Sequence, residues 1–167
     1  VWFDSGPKTY VSDAARLNAM MSDAAAMDDS HMKCYAHPGT IAVSTAIAAG
    51  ERMGASGKEV LCAVAEGYEA AGRIGEQIAP AYAGRRGMHN CIISVFGGAV
   101  ATGKLLGLNV EQMTYAIALS ATSMGGLMIA TNNITREYHA GLSAMQSINA
   151  VLAASNGYEA DDNLLEA

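Results

Sequence analysis

Two short stretches, Ser56-Gly57-Lys58-Glu59 and Asn109-Val110-Glu111-Gln112, carry the same punctuation. Each sets an oxygen-bearing side chain three residues ahead of an acid or amide long enough to reach back to its backbone. Such a pair satisfies donors that a helix start leaves open, so each stretch announces a helix and limits what can stand on either side. Gly54 and Gly107 close the helices before them. The rest of the chain follows the same rhythm. Ser12 is the expected N-cap of a first helix running from near Asp13 to near Met27, with Ala14, Leu17, Met21 and Ala25 inward and Asp13, Arg16 and Asp23 elsewhere, after a turn-rich lead-in at Asp4 to Pro7. Pro38 suits the first position of a second helix carrying Ile41, Thr45, Ala48 and Ala49. The third presents Val60, Val64, Gly67, Tyr68, Ala71 and Ile74 up to a break at Pro80. Cys91 to Leu106 reads as a buried helix with a small-residue seam at Phe96-Gly97-Gly98-Ala99. A fifth helix follows Asn109 and meets Gly125-Gly126, and a last one carries Leu142, Met145, Ile148 and Leu152 before Asn156-Gly157. Sustained two-residue alternation is missing, so the expected class is all-α, a helical bundle-like single domain over residues 1–167.

Composition narrows the function classes. Hydrophobic residues make up 51% of the chain and aromatics only 6%, which requires a core of Ala, Met, Leu, Ile and Val on closely spaced helices. A net charge of -6 without a Lys or Arg block speaks against a nucleic-acid partner. Cys34, Cys62 and Cys91 form no Cys-x-x-Cys pair, and a reduced, cytoplasmic compartment is expected. The start at Val1-Trp2-Phe3 has no basic-then-apolar leader and reads as the middle of a longer protein. Residues 112–135 are uncharged but interrupted by Thr, Ser, Asn and Gly, a pattern for a buried helix and loop rather than a membrane span.

Chemistry concentrates in three polar segments. Ala26 to Thr40 holds Asp28, Asp29, Ser30, His31, Cys34 and His37; the segment after Pro80 holds Arg85, Arg86 and His89; Thr131 to His139 holds Arg136 and His139. All four histidines of the chain fall in or beside these segments. A metal reading of His31, Cys34 and His37 lacks the second matched pair that such zinc sites show, and no bound metal is expected. No phosphate loop exists, since Gly103-Lys104 is followed by Leu105, and no Gly-x-Ser-x-Gly elbow is present. What remains is a pocket of imidazoles and a cation beside carboxylates. It suits a carboxylate-bearing substrate whose neighbouring carbon loses a proton.

The motifs Met27-Asp28-Asp29-Ser30-His31, His37-Pro38-Gly39, Gly67-Tyr68-Glu69, Arg85-Arg86-Gly87-Met88-His89, Phe96-Gly97-Gly98-Ala99, Leu105-Leu106-Gly107-Leu108 and Tyr138-His139-Ala140-Gly141, with Asn18 ahead of them, resemble the MmgE/PrpD family in the right order over nearly the whole chain. That family includes 2-methylcitrate dehydratase, cis-aconitate decarboxylase and iminodisuccinate epimerase. The resemblance implies a large helical domain, a smaller α/β lid, a homodimer, and no metal or other cofactor. It also implies that this chain is the central part of the helical domain, truncated at both ends and without the lid.

By the same resemblance His37 and His89 line the active site, and Ser30 matches the hydroxyl after the paired acids. The family's preceding aspartate is replaced by Ala26, its lysine by Arg136, and the loop from Ser30 to His37 is one residue longer. The implied catalytic set is His37, His89, Asp28 and Ser30, with Arg136, His31, His139 and Arg86 binding a small carboxylate substrate. Two classes follow. One is a cofactor-independent lyase or epimerase of a di- or tricarboxylate, in which Arg136 grips a carboxylate while one of His37 and His89 moves a proton and the other serves the leaving group or enediolate. The other is a non-catalytic helical dimerisation or binding module. His37 and His89 are expected to approach each other across one pocket, and the chain to associate through uncovered apolar helix faces.

Overall fold

Alanine, leucine and methionine lose little side-chain freedom in a helix, and the chain between its glycine stops folds accordingly. The computed structural model describes residue 1, residues 8–89 and residues 91–166, with the side chains of residues 80–86, 91 and 130 outside that description. The helices are α1 (Val11–Ala24), α2 (Pro38–Met53), α3 (Gly57–Arg86), α4 (Cys91–Leu106), α5 (Val110–Ala121) and α6 (Thr135–Ser155), with a 3-10 turn at Met128–Asn132. Among the described residues the only β pairing is two isolated bridges, His31 with Ala36 and Met88 with Leu127. None of the described helices is long and apolar enough to cross a membrane.

The central element is α4, which packs on α2, α3, α5 and α6. Residues 92–99 are buried without interruption, as a helix enclosed on all sides must be. Its close approach to α3 depends on missing side chains. A Cβ added at Gly67 would stand 2.6 Å from the Gly97 carbonyl oxygen, and one at Gly97 would stand 2.8 Å from that of Gly67. On the other flank α1 and α6 run antiparallel, with Ala14, Ala15 and Ala19 meeting Ala140, Ala144 and Ile148.

Both helix starts read from capping pairs form. Glu59 accepts from the Ser56 N–H at 2.7 Å while Ser56 Oγ accepts from the Glu59 N–H at 3.3 Å. Asn109 and Gln112 exchange the same two bonds at 2.8 and 3.2 Å. Pro38 opens α2, and Gly54 (φ 66°) and Gly107 (φ 70°) supply the left-handed stops.

Four expectations fail, each through a contact distant in sequence or a competing local bond. Helix α1 begins at Val11, with Ser12 inside its first turn, and buries Ala14, Ala15, Asn18, Ala19 and Asp23, leaving Met21 39% exposed; its face is set by the small residues of α6. Helix α3 continues through Pro80 to Arg86. A proline costs an interior helix a hydrogen bond and a clash, and the long contact of α3 with α4 outweighs that cost. Helix α5 stops at Ala121, ahead of Gly125-Gly126, because Thr122 Oγ1 and the Ser123 N–H bond back to the Leu119 and Ser120 carbonyls at 2.7 and 3.0 Å. The third polar segment is a 3-10 turn and then helix from Thr135, so Arg136 and His139 stand on α6 rather than in a loop. The lead-in at Asp4 to Pro7 lies outside the described residues.

Candidate active site

The loop between α1 and α2 is built around the start of α2. The Gly39 N–H meets the Asp29 carboxylate at 3.0 and 3.2 Å, placing negative charge on the positive end of the helix. The Tyr68 hydroxyl from α3 joins the same carboxylate; burial first, and then Asp29, raise its pKa well above the usual value for tyrosine. Asp29 is therefore a structural anchor. Asp28 turns the other way, with its Oδ2 accepting from Thr40 Oγ1 at 3.3 Å and standing 3.2 Å from His37 Nδ1.

His37 is the N-cap residue of α2. Its Nδ1 lies 2.6 Å from the Asp29 carbonyl oxygen and 3.4 Å from Ser30 Oγ. A carbonyl only accepts, so Nδ1 carries the proton and the neutral ring keeps its lone pair on Nε2. Asp28 beside the same edge orients the ring and supports the charge of an imidazolium, the arrangement by which a carboxylate equips a histidine for proton transfer. Ser30 addresses the nitrogen that is already protonated, which makes it an orienting hydroxyl rather than a nucleophile activated by that ring.

His31 and Cys34 have other work. The His31 N–H bonds to the Ala36 carbonyl at 2.9 Å, its Nδ1 accepts from the Cys34 N–H at 3.3 Å, and its ring lies over Gly72 of α3. Cys34 is fully buried among Ala36, Ala79, Ile92 and Ile93, its thiol pKa pushed up by burial, with Sγ 3.7 Å from the His31 carbonyl oxygen. The thiol thus points into the core and His31 braces its own turn against α3. No group of three His, Cys, Asp or Glu among the described residues converges on a metal position.

The second polar segment is shorter than the sequence suggested, because α3 extends into it. Gly87, Met88 and His89 pair with Gly126, Leu127 and Met128 through the His89 N–H to Gly126 carbonyl bond at 2.9 Å and the Met128 N–H to Gly87 carbonyl bond at 2.7 Å. This pairing holds His89 at 1% exposure. Burial, and then the charges of His139, His37 and Arg136, lower its pKa to about 4, so the ring is neutral at physiological pH. His37 from the start of α2, and His139 and Arg136 from the start of α6, are thus brought within electrostatic reach of His89. His139 lies nearest, its ring centroid 5.5 Å from that of His89 and its face against Gly126. Its Nδ1 is buried without a hydrogen-bond partner. The Arg86 side chain lies outside the described residues.

Arg136 is already engaged. Its Nε donates to Asp23 Oδ2 at 3.0 Å, and its Nη2 donates to the Asp23 carbonyl at 2.6 Å and lies 3.4 Å from Glu137 Oε1. The edge expected to grip a substrate carboxylate is turned toward α1. Asp23 is the residue that sequence reasoning missed, since its place on the helix wheel set it apart from the inward apolar face. A signal was available in retrospect: a lone acid in the last turn of an alanine-rich helix opposes the helix dipole and calls for a cation.

The MmgE/PrpD N-terminal domain model matches residues 1–167. The chain is 32% identical over 168 residues to a cis-aconitate decarboxylase of Aspergillus terreus, an alignment covering 96% of this chain and 34% of that protein. It is 31% identical over 157 residues to the cis-aconitate decarboxylase-like protein oryM of Aspergillus oryzae, covering 87% of this chain and 32% of that protein. The chain therefore spans about a third of the length of these relatives. Its match to the family model from end to end, on an all-helical fold that gathers the motif histidines, shows that the chain belongs to the MmgE/PrpD family.

Proposed function

We propose that this chain is the helical part of a lyase that removes carbon dioxide or water from a di- or tricarboxylate such as cis-aconitate or 2-methylcitrate. The observation that carries the reading is the Asp28–His37 pair, with Oδ2 3.2 Å from Nδ1, in electrostatic reach of a buried neutral His89. Both reactions move a proton at a carbon beside a carboxylate. In dehydration His37 Nε2 takes that proton and the imidazolium so formed returns it to the departing hydroxide, which leaves as water; in decarboxylation the His37 imidazolium delivers a proton to carbon while the carbon–carboxylate bond breaks and its electron pair stays on the substrate skeleton. Asp28 supports the imidazolium in either direction. His89, kept uncharged, offers an N–H to oxygen that gains charge, the service of a neutral imidazole electrophile. With its Nε and Nη2 on Asp23, Arg136 contributes positive potential rather than a two-pronged grip.

That same engagement favours a second reading, a non-catalytic binding module, because two carboxylates, Asp23 and Glu137, already occupy the guanidinium. Expression of the full reading frame separates the two. Carbon dioxide release from cis-aconitate, or alkene formation from 2-methylcitrate, supports the lyase. His37→Gln should then lower kcat by about a hundredfold or more at unchanged helicity. Turnover of neither acid, or wild-type kcat in His37→Gln, rules the lyase assignment out.

A further inference from the structure

Asp23 belongs to none of the motifs above, yet it occupies the most costly position among the described acids. It stands in the last turn of α1, where the helix dipole disfavours negative charge. Its side chain is 2% exposed. Burial is the largest cause of its raised pKa, Asp28 and Glu137 add to the rise, and Arg136 alone opposes it. An ionised group under those penalties costs stability unless its partner is held in good geometry.

The opposite helix shows what the pair accomplishes. The N-cap of α6 is Ile134, which is 85% exposed and makes no side-chain cap bond, and the Asn133 side chain that accepts from the Thr135 N–H at 2.9 Å holds the turn only to its own loop, not to another helix. Arg136 sits in that turn and crosses to α1. There its Nε takes the Asp23 carboxylate and its Nη2 takes the Asp23 main-chain carbonyl, which also caps the end of α1. Glu137 is no substitute: it neighbours Arg136 on α6 and cannot tie that helix to another. The same two turns of α6 carry His139, whose ring lies beside His89.

We propose that Asp23 is a positioning residue: from α1 it fixes Arg136, and with it the first turns of α6, so that His139 stands beside His89 with the guanidinium charge in electrostatic reach. It acts through Arg136 and touches no substrate.

The test is nuclear magnetic resonance on protein labelled with nitrogen-15 arginine and histidine, the Arg136 Nε–Hε signal being identified by its loss in Arg136→Lys. In the wild type that signal should be protected from solvent exchange. In Asp23→Ala it should lose its protection, and the His89 titration midpoint should rise as the Arg136 charge moves away, with helicity unchanged. Asp23→Leu, which fills the buried site without an acceptor or a charge, decides the matter if Asp23→Ala does not fold, and the same two changes are expected of it. A folded variant with the Arg136 signal still protected overturns the proposal. So does a lost signal with an unmoved or lowered His89 midpoint, because Asp23 would then brace the helices without shaping the site.

Discussion

The two seams on either side of the core solve the problem of helix contact in different ways. Between α3 and α4 the glycines Gly67 and Gly97 let two backbones touch, and the charged contact at their rim, Lys104 with Glu66 at 2.8 Å, is solvent-exposed and contributes little. Between α1 and α6 the alanines meet in the same close fashion, but one end of the seam closes on Asp23, 2% exposed, paired with a half-buried Arg136 within electrostatic reach of His89. At its glycines the first seam is a packing device in which no titratable group takes part. The second couples packing to ionisation, so an end of the molecule that could have been sealed with leucine is sealed with charges that must remain matched. Close contact alone holds helices together; matched charge also decides which polar groups face one another.

The largest expected effect breaks the charged end. Arg136→Met keeps much of the aliphatic volume and strands a carboxylate that is 2% exposed, and chemical denaturation near neutral pH should show a loss of about 3–5 kcal/mol. The sign with pH follows from Asp23. Its folded pKa is raised, and more so without the guanidinium, so its contribution is favourable below the unfolded carboxylate pKa and is lost as pH rises through the folded one. The deficit of Arg136→Met should therefore shrink on acidification. An equal deficit at acid and neutral pH would contradict an ionised Asp23.

Next comes His89. Its folded pKa of about 4 lies below the unfolded value near 6.5, so the stability it contributes is complete above about 6.5 and is lost as pH falls toward 4, about 3 kcal/mol at most. His89→Gln should flatten that part of the stability profile. An unchanged slope between those limits would mean that the ring is more hydrated than its burial implies. The smallest effect tests the neutral seam: Gly67→Ala meets the Gly97 carbonyl and should cost about 1–3 kcal/mol, with the same deficit at pH 5 and pH 7. A pH-dependent deficit there would erase the distinction between the seams.

Much of the fold was legible because helix punctuation is local. The Ser56–Glu59 and Asn109–Gln112 pairs each span three residues, and Pro38, Gly54 and Gly107 act through their own φ angles. The site was legible in part for the same reason. His37, Asp28 and Asp29 lie within ten residues of one another, and the start of α2 organises all three. His31 is ambiguous in the sequence, because the spacing that suggests a ligand also suits a residue bracing a turn, and its contact with Gly72 on another helix is visible only in the fold.

By itself the sequence determined where α2, α3 and α5 start and where α2 and α4 stop, that the chain is all-α, and which histidines belong to family motifs. Backbone hydrogen bonding and capping act over a few residues and leave their signature in composition and spacing. Only the tertiary structure decided that α3 runs through Pro80, that Asp23 faces inward, that Arg136 is spent on Asp23, and that His89 is neutral. Those outcomes depend on burial and on partners as much as 113 residues away, and burial is a property of the assembled core that no local window contains.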